Sequence, residues 1–276
     1  MRVMDFNDWV GRNETQHDTI TPAPLRALAA TLDRDDGDAL VPPLWHWLYF
    51  LPMHRHSELG EDGHAKRGGF LPPVPLPRRM WAGGRLQWHA PLKAGDAVTR
   101  TSTIASVQHK SGRSGELVFV VVRHEVANQR GLALTEEHDI VYREAPRAGD
   151  PQPAPTAAPK DALWQRRIVP DPVLLFRYSA LTFNGHRIHY DHPYVTQVEG
   201  YPGLVVHGPL IATLLVDLLR RERPDARLAK FSFRAVRPIF DTAPFFVCGQ
   251  PEGDTVELWA QDADGFLCMQ ATAETA

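Results

Sequence analysis

Residues 183–191 read F-N-G-H-R-I-H-Y-D and bring Asn184, His186, Arg187, His189 and Asp191 together; His192 follows, and His207-Gly208-Pro209 stands further on. Histidine changes charge near neutrality, so His189 can take a proton and give it back. An amide can orient a water but cannot take up its proton, which makes Asn184 the expected holder of that water. Gly208 opens a strongly apolar stretch with helical spacing. Its N–H would lie at the positive helix end, where an oxygen gaining charge is stabilised, and glycine lets a ligand come close. Together these groups form an acid–base set: a base, an oriented water and a site for a charged oxygen. His207 is expected to brace the loop at the substrate. His186 and His192 are expected to support the site or face solvent.

The same stretch spells H-x-x-H-x-x-H at 186, 189 and 192, a spacing that would suit zinc on a helix. Gly185 and Pro193 bracket it as a loop, so no metal is expected. Arg187 pairs with Asp191 or Glu199 on one reading. On the other it meets a carboxylate of the substrate, for which its planar fork is suited. Arg234 and Arg237 are weaker candidates for that second task.

A loop of this kind must be held by a core. Residues 209–223 are apolar at Leu210, Ile211, Leu214, Leu215, Leu218 and Leu219 and close on R-R-E-R-P. With Ala212 and Val216 also apolar, this predicts a buried helix that Pro224 stops. Strands are expected after it at 229–239, 245–250, 255–260 and 266–273, with a hairpin turn at Asp264-Gly265. The first half repeats the order less clearly. Residues 42–51, containing L-W-H-W-L-Y-F-L, are the expected counterpart helix. Residues 53–77 look like an irregular insertion. Strands are expected at 86–90, 97–107, 116–127 and 132–142. Pro91-Leu92 and Pro238-Ile239 mark matching steps, the sign of a duplicated unit.

Residues 145–160 hold five prolines and no large apolar side chain, which reads as a solvated linker. It divides the chain into 1–144 and 161–276. A buried helix followed by an antiparallel meander, twice over, is an α+β architecture. The hot-dog fold has that order, so two copies would make a double hot dog.

Composition narrows the function. Apolar residues are 43% and charged residues 23% of the 276, as in ordinary globular chains. A net charge of −3 gives no footprint for nucleic acid. Two cysteines, Cys248 and Cys268, form no disulfide framework. No stretch approaches a membrane span and the N-terminus carries no signal-peptide core, so a cytoplasmic protein is expected.

The motif resembles the hydratase signature of the MaoC-like (R)-specific enoyl-CoA hydratases. In that pattern an aromatic and a small residue precede D-x-N-P-I/L-H, and H-G stands before the central helix. Here Tyr178 and Ser179 open it, residues 184–189 fill the six core positions, and His207-Gly208 precedes Pro209. The whole chain is similar to the two-domain branch with F-N-x-H-R-I-H-Y-D and an opening like D-F-x-x-W-V-G-R, residues 5–12. That branch includes mesaconyl-C4-CoA and itaconyl-CoA hydratases and mitochondrial 3-hydroxyacyl-thioester dehydratases. One departure from the general signature stands out: Asn184 occupies the place of its acid/base aspartate.

The resemblance implies a hydratase acting on an α,β-unsaturated acyl-CoA, with no cofactor beyond the coenzyme A of the substrate. It implies catalytic roles for Asn184, His189 and Gly208 and substrate contacts at Arg187, His207 and Tyr178. Such a reaction needs a base for water, a proton for the α-carbon and stabilisation of the enolate oxygen. Arg187 inside the motif turns the expected substrate toward a C5 dicarboxylyl-CoA. The alternatives are a fatty 3-hydroxyacyl-thioester dehydratase and a non-catalytic acyl-CoA-binding protein. The first half has no N-x-H-x-x-H and is expected to be non-catalytic. Arg78, Arg79, Arg85 or Arg113 could meet the CoA phosphates. A homodimer is expected, with no nucleic-acid or membrane partner.

Overall fold

The computed structural model describes residues 6–36, 39–112, 115–144 and 154–276. Ten antiparallel strands make one sheet. The first half supplies β1 (Asn13–Thr19), β2 (Arg78–Trp88), β3 (Ala97–Gly112), β4 (Gly115–Asn128) and β5 (Gly131–Arg143). The second half supplies β6 (Trp164–Ile168), β7 (Leu228–Ala235), β8 (Phe245–Glu252), β9 (Thr255–Gln261) and β10 (Leu267–Thr275). The strand order is β1-β3-β4-β5-β2-β7-β10-β9-β8-β6. Either edge, read inward, gives the same connections, so the duplication hinges on the β2–β7 pair, where Leu86 faces Phe231.

The helices are α1 (Pro22–Thr31), α2 (Pro172–Leu181), α3 (His192–Gln197) and α4 (Gly208–Glu222). α4 is the predicted apolar helix, and every residue from 210 to 219 is buried. It packs on β6, β8, β9 and β10, as a hot-dog helix does on its sheet. α1 and α2 occupy matching places and touch each other. The Pro-apolar steps also correspond: Leu40 bridges Lys93 in one half and Val205 bridges Phe240 in the other.

The expected counterpart of α4 does not form. Residues 42–51 make a single 3-10 turn, Trp45–Leu48, flanked by left-handed Leu44 (φ 70°) and Phe50 (φ 54°). Trp, His, Tyr and Phe are mediocre helix formers and Pro52 ends the run early. Tertiary contacts then decide the matter. His46 Nε2 and Trp47 Nε1 both reach the buried Glu136 carboxylate, at 2.9 and 2.8 Å. The first half thus has its sheet without a long central helix.

Other expectations shift at their edges. β2 begins at Arg78, well before 86, and the strand after α4 ends at Ala235. β1, α1, β6 and α2 were not foreseen. Residues 145–153 of the proline-rich segment lie outside the described residues. Its far end is not solvated as expected: Ala158 is buried beside Cys248 and Trp259, and Ala157 bridges Phe266. One core cluster runs through both halves, from Ile20 to Ala273.

Candidate active site

Local sequence places the loop. Asp171 caps α2, accepting from the N–H groups of Val173 and Leu174 at 2.8 and 2.9 Å, with Pro172 in the first turn. At the other end Phe183 turns left-handed (φ 49°), and the Asn184 N–H closes on the Ser179 carbonyl at 2.8 Å. Asn184 Oδ1 then accepts from the His186 N–H at 3.0 Å. The amide oxygen is therefore used by its own loop. The NH2 group is what Asn184 can offer a water or a substrate oxygen.

His189 follows in a 3-10 turn, Arg187–His189, and is 8% exposed. Its Nδ1 donates to the Val205 carbonyl at 2.7 Å, which fixes the tautomer and leaves Nε2 with a free lone pair. Burial first, and then His186, lower its pKa to about 3, so the ring is neutral at physiological pH. It stacks on His207, centroids 3.7 Å apart.

His207 is 1% exposed and joins Ser179 Oγ through Nε2 at 2.8 Å. Burial holds its pKa well below the ordinary histidine value. Tyr178 packs edge-on against His207 at 5.1 Å and is itself buried. Both residues were expected to touch substrate. The structure buries both, His207 stacked on the His189 ring and bonded to Ser179, and Tyr178 edge-on to His207. Gly208 opens α4 as expected, and a Cβ built on it would meet nothing within 4 Å. The space beside this helix start is open to a ligand.

Arg187 does not stand free for a substrate carboxylate. Its Nε and Nη2 donate to Asp191 Oδ2 at 2.9 and 2.7 Å, its Nη1 to the Glu61 carbonyl at 3.0 Å, and its guanidinium lies over Tyr194. It braces the loop against the first half. Among the arginines considered for the CoA phosphates, Arg78 reaches Tyr201 and Glu199, while Arg85 pairs with Glu137 and Asp139. Arg113 and Asp5 lie outside the described residues. Arg237 is paired with Asp262.

The insertion at 53–77 supplies residues that the sequence did not reveal. Its turn at 60–64 lies on the motif loop, with the Arg187 N–H bonded to the Asp62 carbonyl at 2.9 Å. Asp62 Oδ2 accepts from His64 Nδ1 at 3.1 Å, and the His64 ring lies 3.9 Å from that of His186. Burial lowers the pKa of His186 to about 3, helped by His64, while its bond to His64 holds Asp62 below the usual carboxylate range. Four imidazoles, His64, His186, His189 and His207, thus run in series at 3.9, 5.3 and 3.7 Å. Only the D-G-H at 62–64 could have marked this turn.

The H-x-x-H-x-x-H residues 186, 189 and 192 form no cation-binding group among the described residues, and His192 starts α3. The ligating atoms of Asp62, His64 and His186 do lie within 4.8 Å of one another. They are the group among the described residues that could receive a cation. Their Asp–His bond and ring-on-ring packing equally fit a proton-handling pair.

The matching place in the first half is filled. After α1, Asp33 is left-handed (φ 51°) and the Arg34 N–H bonds the Ala29 carbonyl, so Arg34 stands where Asn184 stands. Its guanidinium pairs with Asp36 and with Asp217 of α4, and Arg166 and Arg221 close on the same Asp217. An ion-pair network replaces a second site. Two concavities of about 560 and 400 Å³ lie elsewhere, and no residue of the motif loop lines either one.

Comparison with known proteins places the chain in a family and a fold. The family model described as hydroxyacyl-thioester dehydratase type 2 matches residues 44–241. The chain is similar to a mesaconyl-C(4)-CoA hydratase of Chloroflexus aurantiacus, 50% identical over 99% of each chain. Among solved structures it resembles HtdX of Mycobacterium tuberculosis, with a TM-score of 0.69, 20% identity and 96% and 100% of the two chains covered. It also resembles a second Mycobacterium tuberculosis protein described as a double hotdog fold, with a TM-score of 0.58, 13% identity and 97% and 96% covered.

Proposed function

The chain belongs to the type 2 hydroxyacyl-thioester dehydratase family, and from that premise we propose that it hydrates mesaconyl-C4-CoA or a closely similar C5 dicarboxylyl-CoA. At the coarser level it is a hydro-lyase acting on an α,β-unsaturated acyl-CoA. The observation that carries the site reading is the His189 tautomer: Nδ1 is committed to Val205, so Nε2 is the basic nitrogen.

In the hydration direction His189 Nε2 takes a proton from water as the water oxygen attacks the β-carbon. The Asn184 NH2 group holds that oxygen in line. Charge moves onto the thioester oxygen, which the Gly208 N–H at the positive end of α4 stabilises. A proton delivered to the α-carbon completes the addition. In dehydration the same groups act in reverse. The ring of His189 is neutral, so Nε2 stands as an acceptor.

Identity with the Chloroflexus enzyme supports the dicarboxylyl substrate. Arg187, committed to Asp191, does not, so the second carboxylate has to be met elsewhere. Purified protein mixed with a panel of enoyl-CoA thioesters tests the reading, through loss of conjugated-thioester absorbance and gain of one water in the product mass. Fastest turnover of mesaconyl-C4-CoA is expected. Preference for long acyl chains would move it to the fatty dehydratases, and binding without turnover would make it an acyl-CoA-binding protein. The proposal includes a homodimer, which sedimentation velocity would check. No helix among the described residues is long and apolar enough to cross a membrane.

A further inference from the structure

We propose that Asp62 and His64, carried by the first half of the chain, form with His186 the second proton-handling group of the active site. The proposal rests on the hydratase reading above. It starts from a deficit: Asn184 cannot exchange protons, and among the described residues no carboxylate hydrogen-bonds His189 or His207. His189 has a backbone carbonyl as its partner, which orients the ring but gives an imidazolium no counter-charge. Asp62 supplies a negative charge at the far end of a series of rings, with His64 and His186 between it and His189. It holds His64 by Nδ1, leaving Nε2 as the working nitrogen, the arrangement in which a carboxylate fixes a histidine's tautomer and stabilises its cation. His64 lies against His186, and His186 stands edge to face with His189. The side chain of His64 is 32% exposed, so the series runs from solvent to the buried base.

The turn that carries the pair is locked to the motif loop by contacts that a passing surface turn would not have. The Gly60 N–H bonds the His64 carbonyl at 2.7 Å and Gly63 bonds Gly60 at 3.0 Å, making a tight turn. Gly63 is left-handed (φ 85°), and a Cβ there would fall 1.9 Å from the Gly185 carbonyl oxygen. The carbonyls of Glu61 and Asp62 receive the Arg187 side chain and N–H. Backbone meets backbone across the two halves at the point where proton transfer needs fixed distances.

The step balances as follows. The water oxygen bonds to the β-carbon, the C=C π pair shifts to the α-carbon, and the water's proton goes to His189 Nε2. A proton taken from solvent passes through His64 to His186, which releases its own to the α-carbon. His189 then loses its proton to solvent, matching the one that entered through His64, so one water is added and no net proton is consumed.

The experiment compares Asp62→Asn, His64→Ala and His189→Ala with wild type, following kcat and KM on mesaconyl-C4-CoA and melting temperature. The expected result is a kcat loss of about 10²-fold or more in Asp62→Asn and His64→Ala, with KM within about threefold and folding kept. Added imidazole should restore part of the His64→Ala rate, which a structural role would not allow. Folded variants with kcat within about threefold of wild type, or no rescue by imidazole, overturn the proposal while the hydratase reading stands if His189→Ala is inactive. Asp62→Asn keeps the test open if His64→Ala does not fold. Wild-type activity lost to a chelator and restored by zinc overturns the proposal and assigns the three side chains to a metal. A wild type inactive on every thioester overturns both readings.

Discussion

His189 works because of what its neighbours leave undone. Val205 takes its only N–H, His207 covers one ring face, and among the described residues no carboxylate hydrogen-bonds it. His189→Ala should lower kcat by about 10³-fold, with a modest fall in melting temperature because the ring is buried and stacked on His207. Steady-state kinetics beside a thermal melt would check both halves of that statement. Arg187 leads to a different expectation. Its donors hold Asp191 and the Glu61 carbonyl, so Arg187→Ala should loosen the site for every substrate. kcat/KM on mesaconyl-C4-CoA and on crotonyl-CoA should therefore fall by similar factors. A loss confined to the dicarboxylyl substrate would show that the arginine leaves Asp191 when substrate binds.

At the scale of elements, the site is two loops pressed together: 184–191, held between α2 and α3, and 60–64 from the insertion. Gly63→Ala should separate them. The left-handed backbone and the Gly185 carbonyl both oppose a methyl group, so a destabilisation of about 3 kcal/mol with a large loss of kcat is expected. Gly68→Ala is the control, because Gly68 is also left-handed (φ 104°) but a Cβ there meets nothing within 4 Å. It should cost only about 1 kcal/mol of backbone strain and leave kcat unchanged. Urea unfolding with parallel assays separates the two. α4 itself was legible in the sequence because ten consecutive buried positions, 210 to 219, leave an apolar record broken only by Thr213 and Asp217. Residues 42–51 left a similar record yet form one turn, since their fate depended on Glu136, nearly ninety positions away.

Across the whole molecule, buried polar groups set the response to acid. Burial holds His124, His186, His189 and His207 below the ordinary histidine value, the second and third at about 3. In the unfolded chain these groups titrate near 6.5. As pH falls beneath about 6.5 the unfolded state binds protons that the folded state refuses, so stability is full above that value and declines below it. Each histidine can contribute up to about 1.4 kcal/mol per pH unit in that window. Burial alone would raise the Glu136 carboxyl, but His138 and His46 hold it well below its ordinary value, and Asp62 is also held low. These carboxylates deepen the loss below about pH 4. Urea midpoints should fall steeply between about pH 7 and about pH 5, and a flat profile would contradict the burial of these rings. Asp217→Ala should also unfold the molecule more easily, by about 3 kcal/mol, since three arginines drawn from both halves converge on that buried carboxylate.

The sequence by itself determined what is written locally and repeatedly. The apolar period of α4, the alternation of the strands and the N-G-H-R-I-H-Y-D run with its H-G-P sequel each depend on neighbours a few residues apart. Those features yielded the double hot-dog order and the His189 loop. Tertiary structure alone decided what depends on distance in the chain. It buried His207 against the base and Tyr178 against His207, turned Arg187 to Asp191 and the Glu61 carbonyl, and filled the mirror site with Arg34, Asp36 and Asp217. It also laid Asp62 and His64 beside His186, more than a hundred residues away, through a glycine-to-glycine contact with no periodic pattern to announce it. The physical reason is the same in each case. Periodicity records which face of an element is buried, whereas the partner of a buried polar group is fixed only when the chain closes on itself.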